Sequence, residues 1–301
     1  MPADLIDGRA IAKKIRADVA ERVKKLAATG VKPGLAVVLV GDDPASSVYV
    51  AAKGRATEEA GMHSVTMRLE ADTSQSELLA HIDALNDDPK IHGILVQMPL
   101  PKQIDPDFVI RSVHPEKDVD GFHPINVGKM LVGERDGFIP CTPAGIQVLL
   151  REAGVKTAGK NCVIIGRSNI VGKPMAALMM QNTSDANCTV TVCHSHTDDL
   201  KEHTKSADIL IVAAGRAGIV TGGMVKRGAV VIDVGTNRVK DESAKTGSRL
   251  QGDVDFESVR KVASLITPVP GGVGPMTIAM LMVNTVRAAE MAVKSLTLAA
   301  G

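Results

Sequence analysis

A phenol and an ammonium group stand four residues apart in the segment SSVYVAAKGRATEEAG, as Tyr49 and Lys53. On a helix that spacing puts both on one face. Tyr49 is the only tyrosine in a chain with four Phe and no Trp. An aromatic wall beside an amine that can exchange a proton suits a flat, ring-bearing substrate and proton transfer on it. For an arbitrary YxxxK pair, a surface lysine whose stem covers a half-buried ring is the more ordinary outcome. Two other segments tip the balance. Gln97 in VQMPLP (96–101) ends an apolar run, at the carboxyl edge where open α/β sheets collect ligands. PEKDVDGFHPINVG (115–128) is a dense polar loop with Asp118 and Asp120. Taken singly, Gln97 reads as a strand-end amide and the two aspartates as turn formers.

A different chemistry is written in GRSNIVGKP (166–174), which follows the apolar run NCVIIG and opens a helical pattern. A tight turn there brings backbone amides and a helix N-terminus to a pyrophosphate. The letters are not GxGxxG, since Ser168 replaces the middle glycine and Gly166 and Gly172 are six apart. The strand–loop–helix context carries the reading, against an ordinary βα turn with a capping serine. At the end of the next strand, CHSHT (193–197) offers no acid for a ribose 2′-hydroxyl, and Arg167 lies in the glycine loop. An arginine with a nearby hydroxyl suits a 2′-phosphate, so the spacing favours NADP over NAD. His194 and His196 lack a third ligand and do not read as a metal site.

The elements that must hold these groups alternate between the two periods. Residues 7–29 read as an amphipathic helix, 35–41 as a buried strand, 45–61 as a helix, 64–69 as a strand, 76–86 as a helix and 91–101 as a strand. From 114 to 145 the pattern turns irregular. A helix over 142–154 leads to a second series of strands at 161–166, 188–193, 207–215, 229–235 and 265–270, and a helical run from 276 to about 298. Strands alternating with helices predict α/β domains with parallel sheets. The last run is expected to pack back against the first domain. DESAKTGSRLQGDVDFESV reads as a polar surface loop.

Bulk properties exclude several classes. The 301 residues suit two domains. With 35 basic and 34 acidic residues and few aromatics, a dedicated nucleic-acid binder is not expected. Cys141, Cys162, Cys188 and Cys193 show no CxxC spacing and read as buried, reduced thiols, with no metal expected. No secretory signal and no run of about 20 apolar residues is evident, so a soluble cytoplasmic protein is expected.

The segments SSVYVAAK, VQMPLP, PEKDVDGFHPINVG, PCTPAG, GRSNIVGKPM, DVGTNR and TPVPGGVGPMT run from residue 46 to 277. Together they resemble, in order, the bifunctional methylenetetrahydrofolate dehydrogenase/methenyltetrahydrofolate cyclohydrolases. The resemblance implies an N-terminal α/β folate-binding catalytic domain (1–138 plus 277–301) and a C-terminal Rossmann-like, parallel-sheet NADP-binding domain (139–276). It implies NADP-dependent oxidation of 5,10-methylenetetrahydrofolate, then hydrolysis to 10-formyltetrahydrofolate, in the one-carbon supply that serves purine biosynthesis. Lys53 matches the catalytic lysine, Tyr49 the tyrosine lining the folate, Gln97 the glutamine that tunes the lysine, and Asp120 the aspartate that grips the pterin. Ser46 matches a serine near the lysine, and Gly271, Gly272 and Pro275 lie in a segment bordering the folate. Gly166, Arg167, Ser168, Ser195 and Thr236 match the cofactor site, with Arg167 and Ser195 at the 2′-phosphate. Tetrahydrofolate derivatives are the implied partners and a homodimer the implied assembly.

The implied chemistry agrees with elementary physics. Hydride transfer to a nicotinamide is mainly a positioning task. A lysine serves as a base near neutral pH only if burial or a nearby cation lowers its affinity for the proton, and a glutamine fixes its rotamer without adding negative charge. Two features depart from the family: Thr236 stands where Ile is usual, and extra residues around QNTSDANC precede CHSHT. Two rival readings remain, a shikimate-dehydrogenase-like NADP oxidoreductase and a non-catalytic dinucleotide-binding module. Short-chain dehydrogenases, which also carry YxxxK, place it after the cofactor turn rather than before.

Overall fold

The computed structural model describes residues 2–243 and 247–300. Along the chain come β1 (Asp4–Leu5), α1 (Gly8–Ala27), β2 (Gly34–Val40), α2 (Pro44–Glu59), β3 (His63–Leu69), α3 (Gln75–Asp87) and β4 (Gly93–Val96). Then follow α4 (Pro106–Ser112), α5 (Pro124–Val132), α6 (Cys141–Glu152), β5 (Asn161–Ile165), α7 (Gly172–Met179), β6 (Thr189–Cys193), α8 (Leu200–Ser206) and β7 (Ile209–Val212). The chain closes with β8 (Val230–Asp233), β9 (Asn237–Lys240), β10 (Ser248–Gln251), α9 (Phe256–Arg260), β11 (Leu265–Ile266) and α10 (Val273–Ala300).

These elements form two compact units, Met1–Ala12 with Thr142–Thr277, and Lys13–Cys141 with Ile278–Gly301. The expected first domain began at residue 1. Here the first twelve residues join the other unit, because β1 pairs in parallel with β11.

In the unit of Lys13–Cys141, three parallel strands lie in the order β3-β2-β4. The middle strand β2 is GLAVVLV, and every residue of it is buried. Successive side chains of a strand point to opposite faces, so this strand feeds two cores. Ala36, Val38 and Val40 pack with Leu78, Ile82 and Ile94. Leu35, Val37 and Leu39 pack with Val50, Leu95 and Leu281, the last from α10. Val19 and Val23 of α1 meet Met282 and Val286 of α10. The final helix therefore returns to this unit, as the periodicity predicts.

The other unit holds a six-stranded parallel sheet in the order β1-β11-β8-β7-β5-β6. From β5 the chain moves outward to β6, then crosses back to β7 on the opposite side. The order reverses between β5 and β7, and in open α/β sheets ligands bind at such a reversal, beyond the strands' carboxyl ends. The loop 166–171 leaves β5 at that point.

Several elements depart from expectation. The irregular stretch 114–145 contains α5, which starts at Pro124 behind His123, whose Nδ1 accepts from Ile125 N, and stops at the left-handed Gly133. DESAKTGSRLQGDVDFESV is not all loop: β10 pairs antiparallel with β9, and α9 follows, while residues 244–246 lie outside the described residues. The strand expected over 91–101 is only β4, four residues long. One segment, Val273–Ser295, is long and apolar enough to cross a membrane, contrary to the expectation of none. Half of its most apolar window is buried, and Leu281, Met282, Val286 and Ala289 are core residues, so its apolar character answers to packing. All four cysteines are free and buried, as expected.

Candidate active site

The lysine is placed by the start of its helix. Asp43 caps α2 by accepting from Ser46 N at 2.7 Å, with Pro44 in the first turn. Counting on from that cap puts Tyr49 and Lys53 one turn apart. Lys53 is 8% exposed, Tyr49 39%, and Ser46 is buried. Lys53 Nζ donates to Gln97 Oε1 at 2.9 Å. Gln97 follows β4 directly and is fixed in turn, its Nε2 donating to Met98 O at 2.7 Å and its backbone N to Val38 O at 2.8 Å. That donation leaves only the amide oxygen to face the lysine.

The loop between α4 and α5 carries the aspartates, and they have different tasks. Asp118 is an anchor. Its Oδ1 accepts from Gly121 N and Phe122 N at 3.1 and 3.2 Å, and its Oδ2 from His123 N and Asn126 Nδ2 at 2.8 and 2.9 Å. Burial nevertheless raises its pKa to about 6. Asp120 is half-buried and is the acid that senses Lys53. Burial pushes its carboxyl up, while the Lys53 charge and a hydrogen bond from the Cys141 thiol pull it back. Gly121 makes the turn with φ of 73°, and a Cβ there would meet the carbonyl carbon of Ile139 and Pro140 N at 2.7 Å. The structure thus brings Ser46, Tyr49, Lys53, Gln97 and Asp120 into one unit, with Lys53 in direct contact with Gln97 and in the field of Asp120.

The dinucleotide loop is built in the other unit. Gly166 follows β5 with φ of 120°, and a Cβ on it would lie 2.2 Å from Ala213 O. A Cβ on Gly172 would lie 2.1 Å from Gly166 O, so the loop closes tightly onto the start of α7. Ser168 Oγ accepts from Val171 N at 3.1 Å and caps that turn. Arg167, Ser195 and Thr236 are exposed, and no hydrogen bond joins any two of them. The turn 193–197 is held by His194 N donating to Thr197 Oγ1 at 2.9 Å and by His196 N donating to His194 Nδ1 at 3.2 Å. Among the described residues no three His, Cys, Asp or Glu side chains gather as a metal site. Gly271 and Gly272 directly precede α10 and Pro275 lies in its first turn, all within the Thr142–Thr277 segment of this unit.

Residues 6–120 match the model of the tetrahydrofolate dehydrogenase/cyclohydrolase catalytic domain, and residues 140–293 match that family's NAD(P)-binding domain. The chain belongs to the tetrahydrofolate dehydrogenase/cyclohydrolase family. It is 58% identical over 290 residues to the bifunctional protein FolD of Halalkalibacterium halodurans, covering 96% of this chain and all of that one. Its fold is similar to the bifunctional FolD dehydrogenase/cyclohydrolase of Campylobacter jejuni, with a TM-score of 0.90, 49% identity and coverage of 96% and 99%. It is equally similar to the Trypanosoma brucei enzyme solved with NADP and an inhibitor, with a TM-score of 0.92, 41% identity and coverage of 97% and 99%.

Membership of the tetrahydrofolate dehydrogenase/cyclohydrolase family bears out the α/β reading, the resemblance and the nicotinamide dinucleotide as the cofactor class. The shikimate-type and non-catalytic readings give way to it. Ser46, Tyr49, Lys53, Gln97 and Asp120 fall inside the matched catalytic domain, and the expected cofactor residues inside the NAD(P)-binding one.

Four supporting residues escaped the sequence reading. Cys141 reads in the sequence only as a buried thiol, yet its Sγ donates to Val119 O at 3.3 Å, beside Asp120. Asn284 donates to Val119 O and Ile139 O at 2.8 and 3.1 Å, tying the residue before Asp120 to the segment that leads into α6. A lone Asn in the apolar run from 276 was its signal. In the other unit, Asp253 Oδ2 accepts from Ala214 N and Gly215 N at 2.6 and 2.8 Å, and its Oδ1 from Asn237 Nδ2 at 2.8 Å. Asp233 accepts from Gly235 N, Asp253 N and Val254 N. Nothing in the sequence distinguishes these two from turn formers.

Proposed function

We propose that the chain oxidises 5,10-methylenetetrahydrofolate with NADP and hydrolyses the methenyl product to 10-formyltetrahydrofolate, with Lys53 as the base of the second step. The observation that carries the reading is the buried Lys53 amine donating to Gln97 Oε1 at 2.9 Å. Tyr49, half-exposed one turn away, supplies an aromatic wall for the flat rings of the folate. Asp120 accepts hydrogen bonds from the N–H groups of the pterin and fixes its orientation.

NADP fits the other unit. The close approach of Gly166 and Gly172 leaves room for a pyrophosphate against backbone amides at the start of α7. Arg167, with Ser195 and without an acid in 193–197, suits the 2′-phosphate. When bound, NADP accepts the hydride from the methylene carbon. The chain's own residues then act on the methenyl cation: Lys53 takes a proton from the attacking water, and Gln97 holds the amine in place without adding a negative charge that would bind its proton more tightly.

The test is one cuvette with methylenetetrahydrofolate and NADP, following NADPH and the methenyl product at their separate absorbance bands. Wild type should form NADPH with little methenyl accumulating, and Lys53→Met should form NADPH while methenyl builds up. A Lys53→Met protein with a normal hydrolytic rate overturns the role of Lys53, and absence of NADPH formation overturns the dehydrogenase. The cytoplasmic homodimer implied by the resemblance belongs to the same proposal, and sedimentation equilibrium reads its second half.

A further inference from the structure

A cavity of about 770 Å³ opens in the unit of Lys13–Cys141, lined by the segments that lead into β2, β3 and β4. Those strands are parallel, so their amino ends share one edge of the sheet, and Gln97 lies at the other. Val31, Ile91, Ala288 and Met291 give the cavity apolar walls. Its volume and its lining of apolar side chains with a few polar groups match those of small-molecule sites.

The charge around it is mostly positive. Lys32, Lys90 and Lys117 line the cavity, with Glu116 the one acid among its described lining residues. Lys117 has no donor to offer, because its Nζ donates to the carbonyls of Leu85, Asn86 and Asp88 at 3.1, 2.6 and 2.8 Å. Lys32 and Lys90 are exposed, and among the described residues their ammonium groups have no hydrogen bond or ion pair. Two free cations beside an apolar hollow are complementary to a molecule that carries an anionic group on an apolar body.

We propose that this cavity is a second ligand site, for a small amphipathic anion with an apolar ring system and one carboxylate, sulfonate or phosphate. Its walls are continuous with the backbone of the catalytic groups. His92 lies on the approach to β4, its Nδ1 accepting from Gly34 N at 3.1 Å, and β4 ends at Gln97. Lys117 O accepts from Ile94 N at 2.8 Å, and the same loop goes on to Asp120. An occupant that shifts this backbone changes the rate of the chemistry. That second half of the proposal rests on the roles given above to Gln97 and Asp120; the binding half does not.

The experiment titrates 8-anilinonaphthalene-1-sulfonate into the full chain, with NADP and tetrahydrofolate saturating their own sites, and follows its fluorescence. One binding event is expected. Lys32→Glu/Lys90→Glu should weaken it at least tenfold by reversing the charge, and Ala292→Trp should weaken it at least tenfold by filling the space. The uncharged N-phenyl-1-naphthylamine should bind at least tenfold more weakly than the sulfonate. Wild-type affinity in both variants overturns the site, and equal affinity for the two probes overturns its preference for anions. Should the tryptophan variant fail to fold, the charge reversal and the probe pair still decide. The sulfonate at saturation should change the dehydrogenase kcat/KM at least twofold in wild type and not in Ala292→Trp. An unchanged wild-type rate overturns the coupling. Failure of the Lys53→Met test with these binding results intact would fault the catalytic assignment alone.

Discussion

Gln97 presents its amide oxygen to Lys53 because its amide nitrogen is already committed to Met98 O, at 2.7 Å against 2.9 Å for the lysine contact. The side chain is thus a fixed acceptor that cannot flip without losing both bonds. Replacing it with a carboxylate keeps the acceptor and adds a full negative charge beside the amine. Gln97→Glu should lower the cyclohydrolase kcat at neutral pH at least tenfold and move the hydrolytic pH–rate profile to higher pH. A profile unchanged in position would mean that the charge at this site does not control the base.

Gly121 turns the chain just after Asp120, with a positive φ and backbone atoms within 2.7 Å of where a Cβ would stand. Gly121→Ala should cost about 2 kcal/mol or more of stability and lower both activities together, since it displaces the residue assigned to the pterin. Thermal unfolding and the two assays check it. Full activity in a destabilised protein would show that Asp120 tolerates the displacement.

Asp118 predicts a pH dependence of stability. Its folded pKa of about 6 lies above the ordinary aspartate value. Below roughly pH 4 the carboxyl is protonated whether folded or unfolded, and its contribution is fully favourable. As pH rises towards 6 the unfolded chain loses the proton first, so stability falls, and above that pH the loss is complete. Asp233, also raised to about 6 by burial, acts in the same direction. Each contributes a loss on the order of 3 kcal/mol. Urea midpoints between pH 4 and 7 should therefore fall less steeply in Asp233→Asn than in wild type; equal slopes would remove Asp233 from the account.

Arg167 is exposed at the loop that closes on α7. Arg167→Glu should raise the KM for NADP at least tenfold, change the KM for NAD little, and leave hydrolysis of supplied methenyltetrahydrofolate untouched. A parallel rise for both cofactors would point to a disturbed loop instead of a lost phosphate contact.

The central strands were legible because their residues are buried on both faces and read as unbroken apolar runs: GLAVVLV, the CVII of β5 and ILIV need no context. Lys53 and Tyr49 were legible because one turn of helix is written in their spacing. What stayed hidden depends on contacts distant in sequence. The hairpin of β9 and β10 has no apolar alternation, being NRVK against SRLQ. Helix α5 is capped by a histidine ring, a residue type that does not advertise a helix start. Cys141 and Asn284 matter through partners over 20 and over 140 residues away, at Val119 and Ile139, and no local pattern records such a partnership.

The unit that holds Lys53 is interrupted: the chain leaves it at Cys141 and re-enters at Ile278. Leu281 and Ala288 of α10 are part of the same core as Leu35, Leu39 and Leu95. During synthesis on the ribosome, the half made first is therefore finished last. Its apolar sheet face waits, uncovered, while residues 142–277 emerge, and Lys53 gains its completed surroundings only when the end of the chain arrives.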